Sequence, residues 1–338
     1  MANSYINLFA CCLIVKGNRR STLVDIQRGT FIFLPLNISD LLLTSRSITI
    51  GQIFSSYSVE DADEISKYFD YLIENEYAFY TMNPESFPLL SLDWKTPHHI
   101  TNAIIDYDSG SRYNIVDAIS QLEHLGCAVV QIRFYSRVGL EFLLQTLNGI
   151  SKGSGRIRSL ELILCFNEEI SKEQYRKLIK KFPRVIKITV HNSPFQYKYQ
   201  FPDSINEIEY INQHIKDETH CGFVSPEYFR ANKYFFTESQ TFNSCLNRKI
   251  SIDKFGEIKN CPAMQIGYGN IATMSLMEVS QQSHFQDVWN INKDKIDICS
   301  DCEFRYLCTD CRAFTQDPHN RYSKPLKCKY DPYTMVWS

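Results

Sequence analysis

A cluster of cysteines near the C-terminal end constrains the fold of this sequence more than any other feature. Seven of the twelve cysteines lie within residues 245–328. Four of them follow the spacing C-x2-C-x5-C-x2-C, and they are Cys299, Cys302, Cys308 and Cys311. The other three are Cys245, Cys261 and Cys328. Because thiolates are soft ligands that suit zinc and iron–sulfur clusters, we expect this part of the chain to fold around metal.

The alternative use of many cysteines is a framework of disulfide bonds, which belongs to secreted proteins. The chain shows no N-terminal secretory segment with a charged and then an apolar part, so we expect a cytoplasmic protein with reduced thiols. No apolar run is long enough to cross a bilayer, so we expect no membrane partner. The formal net charge of −2 offers no basic excess for binding nucleic acid.

The spacing of the cysteines favours iron–sulfur clusters over zinc. A zinc ribbon joins its two CxxC pairs through about 15–20 residues, whereas five residues separate the pairs here. Seven cysteines are one fewer than two four-thiolate sites need. Cys221 is the candidate for the eighth ligand, and the neighbouring His220 is the alternative. Eight ligands would hold two four-iron clusters, while a zinc-stabilised interaction protein stays the open alternative.

The cysteine pattern resembles the SPASM domain, which carries auxiliary iron–sulfur clusters in many peptide-modifying radical enzymes. The resemblance covers residues 220–338. The family usually has three residues between its fifth and sixth cysteines, whereas this chain has two between Cys308 and Cys311. Five stretches are similar to one subfamily, the grasp-with-spasm peptide maturases: HCG at 220–222, SCLNRKISID at 244–253, GEIKNCP at 256–262, CEFRYLCTDCRA at 302–313 and KPLKCKYDPY at 324–333.

This resemblance implies two 4Fe-4S clusters with four cysteines each. The first set is Cys221, Cys245, Cys261 and Cys311, and the second set is Cys299, Cys302, Cys308 and Cys328. Because four thiolates fill the coordination of each cluster, neither leaves an open position for a substrate. The cations near the ligands in sequence are candidates to offset the cluster charge: Lys259, Arg305, Arg312 and Lys327.

The resemblance also implies a function in the biosynthesis of ribosomal peptide natural products. The expected role is an accessory maturase that binds a precursor peptide and presents it to a partner ATP-grasp ligase. A redox enzyme that modifies the peptide through its clusters is an alternative. The sequence identifies no catalytic residue, leaves enzymatic activity open and is compatible with a homodimer.

Residues 1–85 are expected to form a winged-helix-like α+β module that binds peptide as an added strand. Three strand-like runs precede helices, and the helix over Val59–Asn75 is predicted to start from the N-cap Ser58. Cys11 and Cys12 are adjacent, so on one strand they would point to opposite faces. We therefore expect small buried side chains there rather than a joint metal site.

Residues 98–215 alternate between strands and helices, which is typical of parallel α/β folds. The alternation is too short for a complete barrel of eight strand–helix units. The predicted fold class is α/β, with a shortened or degenerate (β/α) barrel that resembles the core of the radical enzymes. Pro84–Pro97 would connect it to the N-terminal module, and residues 216–338 would form the cysteine-rich SPASM domain.

The chain departs from those radical enzymes at the first strand of this domain. Their catalytic cluster needs CxxxCxxC there, and the segment after Tyr107 has no cysteine. We therefore expect no S-adenosylmethionine binding and no radical chemistry. Cys127 and Cys165 are predicted to be buried and inert. The charged residues that follow the strand are expected to be solvated, and they are Asp106, Asp108 and Arg112.

Overall fold

A small α+β unit forms the N-terminal part of the computed structural model, which describes residues 2–338. Its elements are β1 (Tyr5–Leu8), β2 (Cys12–Lys16), β3 (Ser21–Asp25), β4 (Thr30–Leu34), α1 (Leu36–Thr44), α2 (Ile50–Ser55), α3 (Val59–Glu74) and β5 (Ala78–Thr81). β2, β3 and β4 form an antiparallel sheet in that order, while β1 pairs with β5. The apolar run from Leu8 to Gly17, which we predicted as one strand, is broken by a turn at Ala10 and Cys11.

The helices are short and bury one face. α3 spans 16 residues and buries Ile65, Phe69 and Leu72. Its N-cap is Ser58, as the sequence predicts, and the Ser58 side chain accepts a hydrogen bond from the Asp61 amide. Glu60 in its first turn is favourably placed because a helix N-terminus attracts negative charge. Within residues 2–338, none of the helices has the length and apolar character that crossing a membrane requires.

Alternating strands and helices build the central sheet, close to the predicted positions. They are β6 (Asn102–Tyr107), α4 (Ile115–His124), β7 (Val129–Phe134), α5 (Leu140–Ser151), β8 (Ser159–Cys165), α6 (Lys172–Lys181), β9 (Val185–His191), β10 (Tyr197–Gln200) and β11 (Glu207–Tyr210). β6, β7, β8 and β9 lie side by side and parallel. β11 continues the parallel arrangement, and β10 closes that edge in the antiparallel direction.

The cysteine-rich region supplies the other edge of this sheet. Its elements are α7 (Lys233–Thr241), β12 (Lys249–Ile252), β13 (Ile258–Lys259), α8 (Leu276–Ser280), β14 (Tyr330–Asp331) and β15 (Val336–Trp337). β12 pairs parallel to β6, and β13 pairs antiparallel to β12, so the sheet has eight strands. The protein is therefore a mixed α/β fold with a mostly parallel sheet.

The hairpin of β12 and β13 forms where the sequence predicts it, but its register differs from our expectation. Gly256, which follows the β-branched residues from Ile250, predicts a hairpin with Cys245 and Cys261 opposite each other at the bases of its strands. Ser251 instead pairs with Lys259. Continuing this register by two residues places Cys261 level with Lys249, because antiparallel partners step in opposite directions.

Two apolar cores and a contact layer between them hold these units together. The main core packs the central sheet against its helices, and the N-terminal core packs β2, β3 and β4 against α1, α2 and α3. A third cluster joins the other face of the N-terminal sheet to the cysteine-rich region and includes Val15, Val24, Phe304 and Leu307. The N-terminal sheet is thus covered on both faces.

Candidate metal-binding sites

The first cysteine set lines a cavity of about 570 Å³ where the central sheet meets the cysteine-rich region. Ile104, Gln131 and Ile163, from the neighbouring strands β6, β7 and β8, form one wall. The sulfur-bearing residues around it are Cys221, Cys245, Cys261 and Cys311. These four come from segments up to ninety residues apart in sequence, and the fold brings them to one space.

Local backbone features bring these cysteines together. Gly222 has a φ of +86°, and a Cβ at this residue would lie 3.0 Å from the Cys311 sulfur, so only glycine lets the chain pass this close. The Asn243 side chain accepts a hydrogen bond from the Cys245 amide at 3.0 Å and fixes the turn before β12. His220 also lines the cavity. The choice between Cys221 and His220 as eighth ligand therefore stays a prediction.

Charge at the first set is unevenly shared between Cys221 and Cys261. A hydrogen bond from the Cys261 thiol, with help from Arg133 and His220, lowers the pKa of Cys221 to about 5. The same hydrogen bond, together with burial, raises the pKa of Cys261. One thiolate is thus already favoured in this group, which suits metal binding because the thiolate is the ligand form.

Lys249 points its ammonium group at the first set. Its Nζ lies 3.4 Å from the Cys245 sulfur, and the residue lines the same cavity. Burial works to lower its pKa, but the nearby sulfurs of Cys245 and Cys261 outweigh burial, so the pKa is raised. Lys249 therefore keeps its positive charge beside the sulfurs.

The second cysteine set surrounds a much smaller space of about 20 Å³. Its members are Cys299, Cys302, Cys308 and Cys328. Phe304 and Trp337 also line this space, and Phe304 is only 3% exposed. Because such a volume admits about one water molecule, a four-iron cluster could be seated there only if these surrounding side chains moved outward.

A buried network of charges lies beside the second set. The Nζ of Lys293 is 4.0 Å from the Cys299 sulfur and 3.7 Å from a carboxylate oxygen of Asp310. Arg312 donates to the same carboxylate at 2.7 Å, and Asn243 donates to its other oxygen at 2.7 Å. Asp310 is fully buried, so this carboxylate is shared by two cations.

The N-terminal sheet is bonded directly to the segment that carries the second set. Glu303, next to Cys302, accepts from the Arg20 guanidinium at 2.7 Å and is 1% exposed. Its backbone carbonyl accepts from Thr22 at 2.8 Å. The Phe304 ring lies 5.7 Å from that of Phe31. The short segment that carries Cys302 therefore also anchors the N-terminal sheet.

The spacing of the sulfur atoms differs from that of a single-ion site. Zinc held tetrahedrally at 2.3 Å places its sulfur ligands about 3.8 Å apart. Within residues 2–338, the only group of three or more possible ligands with all ligand atoms within 4.8 Å is Cys11, Cys12 and Asp25. The eight cysteines of the two sets are thus spread more widely than one zinc ion requires.

The proximity of Cys11 and Cys12 corrects our prediction for this pair. Because Cys11 lies in a turn rather than on β2, the two sulfurs are not on opposite faces but 4.0 Å apart. Asp25 lies beside them, but its carboxylate already pairs with Arg28 at 2.9 Å. Burial raises the pKa of Cys12. This group therefore favours a neutral thiol and an internal ion pair. Cys12 itself is buried, as expected.

Asp106 was also predicted wrongly as a solvated loop residue. It is 1% exposed and accepts two hydrogen bonds from Arg133, which is equally buried, and one from the Tyr135 hydroxyl at 2.7 Å. The signal in the sequence was available, because Asp106 and Arg133 both lie inside apolar strands. Asp108 is partly exposed and near Lys254, while Arg112 is exposed, as expected.

The cations that we picked from sequence proximity mostly have other partners. Lys259 pairs with Asp253 at 2.8 Å, and Arg305 pairs with Asp294 at 3.0 Å. Arg312 pairs with Asp310, and Lys327 donates to backbone carbonyls, including that of Cys221. The two lysines that face sulfur, Lys249 and Lys293, were missed. Cys127 and Cys165 are buried, as predicted.

No protein-family model and no curated protein matches the chain. Similar solved structures include BtrN in complex with AdoMet and 2-DOIA, at 9% identity, 66% coverage of this chain, 98% of that chain and TM-score 0.37. Streptococcus suis SuiB bound to S-adenosylmethionine is 11% identical, and the match covers 96% of this chain and 100% of that chain with a TM-score of 0.35. SuiB bound to precursor peptide SuiA is 11% identical, and the match covers 91% of this chain and 96% of that chain with a TM-score of 0.33. Scores this low assign no family or ligand to this chain.

Removing the Asp106 carboxylate should destabilise the protein strongly. Asp106→Ala leaves the Arg133 charge buried without its partner, and we expect a loss of about 3–5 kcal/mol in the free energy of unfolding, measured by urea denaturation. The double variant Asp106→Ala, Arg133→Met removes both charges and should recover most of that loss. Equal losses in the two variants would contradict this account of the pair.

Glu238 should make stability depend on pH. Burial raises the pKa of Glu238 to about 7, although Asn247 donates to it. The unfolded chain ionises near its ordinary pKa of about 4.3, so the folded state binds more protons between these values and stability falls as pH rises. From about pH 5 to about pH 8, the wild type should lose up to about 3 kcal/mol more than Glu238→Gln. Parallel pH profiles would contradict this assignment.

Proposed function

We propose that this protein is an accessory maturase for a ribosomal peptide, with two 4Fe-4S clusters held in a SPASM-like cysteine region of the grasp-with-spasm type. The observation that supports this most is the division of eight cysteines between two spaces. Cys221, Cys245, Cys261 and Cys311 line the first, and the remaining four of the proposed ligands line the second. This division is the one that the sequence resemblance implies.

The spacing of these donors suits iron–sulfur clusters better than zinc. All eight proposed ligands are cysteines, a soft donor set. Their sulfurs are spread beyond the reach of a single ion, and a four-iron cluster holds its ligands farther apart than one ion does. When bound, such clusters store and pass electrons and stabilise the folded chain. This chain's own residues hold them, shield them with aromatic rings and balance their charge.

The N-terminal unit is proposed as the peptide-binding module. β4 lies at one edge of its three-stranded sheet, so one side of its backbone is free of a neighbouring strand. An extended peptide can add to such an edge through backbone hydrogen bonds. Phe33 lies on β4, and the guanidinium of Arg20, the residue before β3, is 3.5 Å from the centre of its ring. Residues 1–85, 98–215 and 216–338 remain our proposed domains.

The precursor peptide and the partner ATP-grasp ligase follow from the resemblance over residues 220–338. In this proposal the protein presents the peptide, and the ligase forms the new bond. The alternative of a redox enzyme would need an open iron or a second cofactor, whereas each proposed set here is closed by four cysteines. A pull-down with the ligase, with and without peptide, tests the partnership.

Single cysteine variants test the two proposed sites. Cys261→Ala and Cys302→Ala should each lose about half of the iron and sulfide of protein purified without oxygen, because each removes one of four ligands from a different set. Cys165→Ala, which changes a buried cysteine outside both sets, should retain full iron. Zinc instead of iron in the wild type, or unchanged iron in both ligand variants, would reject the assignment.

The reduced protein should not cleave S-adenosylmethionine. The chain has no CxxxCxxC to leave an iron open for this cosubstrate. We expect no 5′-deoxyadenosine when the protein, prepared without oxygen, is incubated with reductant, S-adenosylmethionine and peptide, with product measured by mass spectrometry. Production of 5′-deoxyadenosine above a denatured control would show a catalytic cluster and favour a radical enzyme.

A further inference from the structure

One lysine ammonium lies against each cysteine set. Lys249 approaches Cys245 to 3.4 Å in the first set, and Lys293 approaches Cys299 to 4.0 Å in the second. Both lysines also line the spaces that their cysteines surround. Each set thus has one lysine whose ammonium group faces a cysteine sulfur, although the two lysines are 44 residues apart in sequence.

The two ammonium groups differ in what else they contact. Lys293 is 4% exposed and lies 3.7 Å from the Asp310 carboxylate, which Arg312 also contacts. Among the described residues, Lys249 has no carboxylate within salt-bridge distance, and its Nζ contacts the Cys245 sulfur at 3.4 Å. Glu238 is a more distant carboxylate that interacts with the Lys249 charge. Lys249 thus directs into the first cavity a positive charge that is in no close ion pair, whereas the charge of Lys293 is partly balanced by Asp310.

A charged group in such a place needs an anionic partner, because removal from water is unfavourable for an unpaired ion. Four thiolates around a four-iron core carry net negative charge, and a nearby cation stabilises the state with one more electron. The charge around a cluster, together with hydrogen bonds to its sulfurs, sets its reduction potential. The two lysines therefore lie where their positive charge would stabilise the reduced form of a bound cluster.

We propose that Lys249 and Lys293 are the counter-cations of the two clusters and raise their reduction potentials, with Lys249 having the larger effect because no carboxylate lies within salt-bridge distance of it. This inference rests on the proposed clusters but assigns a role that the cysteine pattern does not contain. Both lysines act through the cysteine ligands, as positioning residues rather than catalytic ones.

Neutral variants of the lysines test this proposal. The experiment compares wild type, Lys249→Met, Lys293→Met and Lys259→Met, all purified without oxygen, by titration with reductant followed by electron paramagnetic resonance. Lys249→Met should lower one midpoint potential by at least the equivalent of a tenfold change in equilibrium, about 59 mV for one electron. Lys293→Met should lower the other midpoint by less. The Cys302→Ala variant, which lacks the second cluster, identifies which midpoint belongs to which set.

Lys259→Met is the matched control, because Lys259 is close to Cys261 in sequence but pairs with Asp253 at 2.8 Å. It should leave both midpoints unchanged. Full iron content with unchanged midpoints in Lys249→Met would overturn the role of the lysines and leave the proposed clusters in place. A wild type without iron would remove both proposals.

Lys249→Arg covers the case in which Lys249→Met fails to keep its cluster. Arginine retains the positive charge, so the proposal expects iron to be retained in Lys249→Arg and its midpoint to lie near that of the wild type. Equal loss of iron in Lys249→Arg and Lys249→Met would show that the shape of the side chain matters rather than its charge, and would overturn the proposal.

Discussion

Sulfur atoms gathered in a folded chain repel one another once they become thiolates, and the surroundings of the two cysteine sets limit that repulsion. Like charges at close range disfavour each other's ionisation. Here Cys221 becomes acidic while Cys261 stays protonated, and Lys249 and Lys293 lie against the sulfurs. Protons retained on buried thiols, together with the two lysine cations, thus allow these cysteines to lie close together.

The two cysteine sets face different surroundings. The first opens into a cavity of about 570 Å³ beside the central sheet, with the buried pair of Asp106 and Arg133 behind it. Phe304 and Trp337 line the second space, and the N-terminal sheet packs next to it, with Arg20 paired to Glu303. In the proposed function, the second cluster would hold the peptide-binding unit in place.

The sequence predicted the regular parts of this fold well. The strands and helices of residues 100–192 lie close to the expected positions, because buried apolar runs and amphipathic helices leave strong periodic signals. The cysteines of each proposed set line a common space, while their role as metal ligands stays a prediction. The addition of β12 beside β6 was missed, since pairing between distant segments leaves no local signal.

The errors at the sites have a common physical origin. Proximity in sequence suggested Lys259 and Arg305 as partners of the clusters, but each is neutralised by a nearby aspartate. Lys249 and Lys293 were overlooked, because only the folded chain shows which ammonium group has a sulfur in front of it. Cys11 and Cys12 were assigned to opposite faces because the turn between β1 and β2 was not foreseen.

Anomalous X-ray diffraction from crystals grown without oxygen would test the central claim most directly. Data collected above and below the iron absorption edge would locate iron independently of any assumption about the ligands. The account predicts two iron peaks, one between Cys221, Cys245, Cys261 and Cys311 and one between the four cysteines of the second set. A zinc signal at either position, or no iron in one of the two spaces, would contradict it.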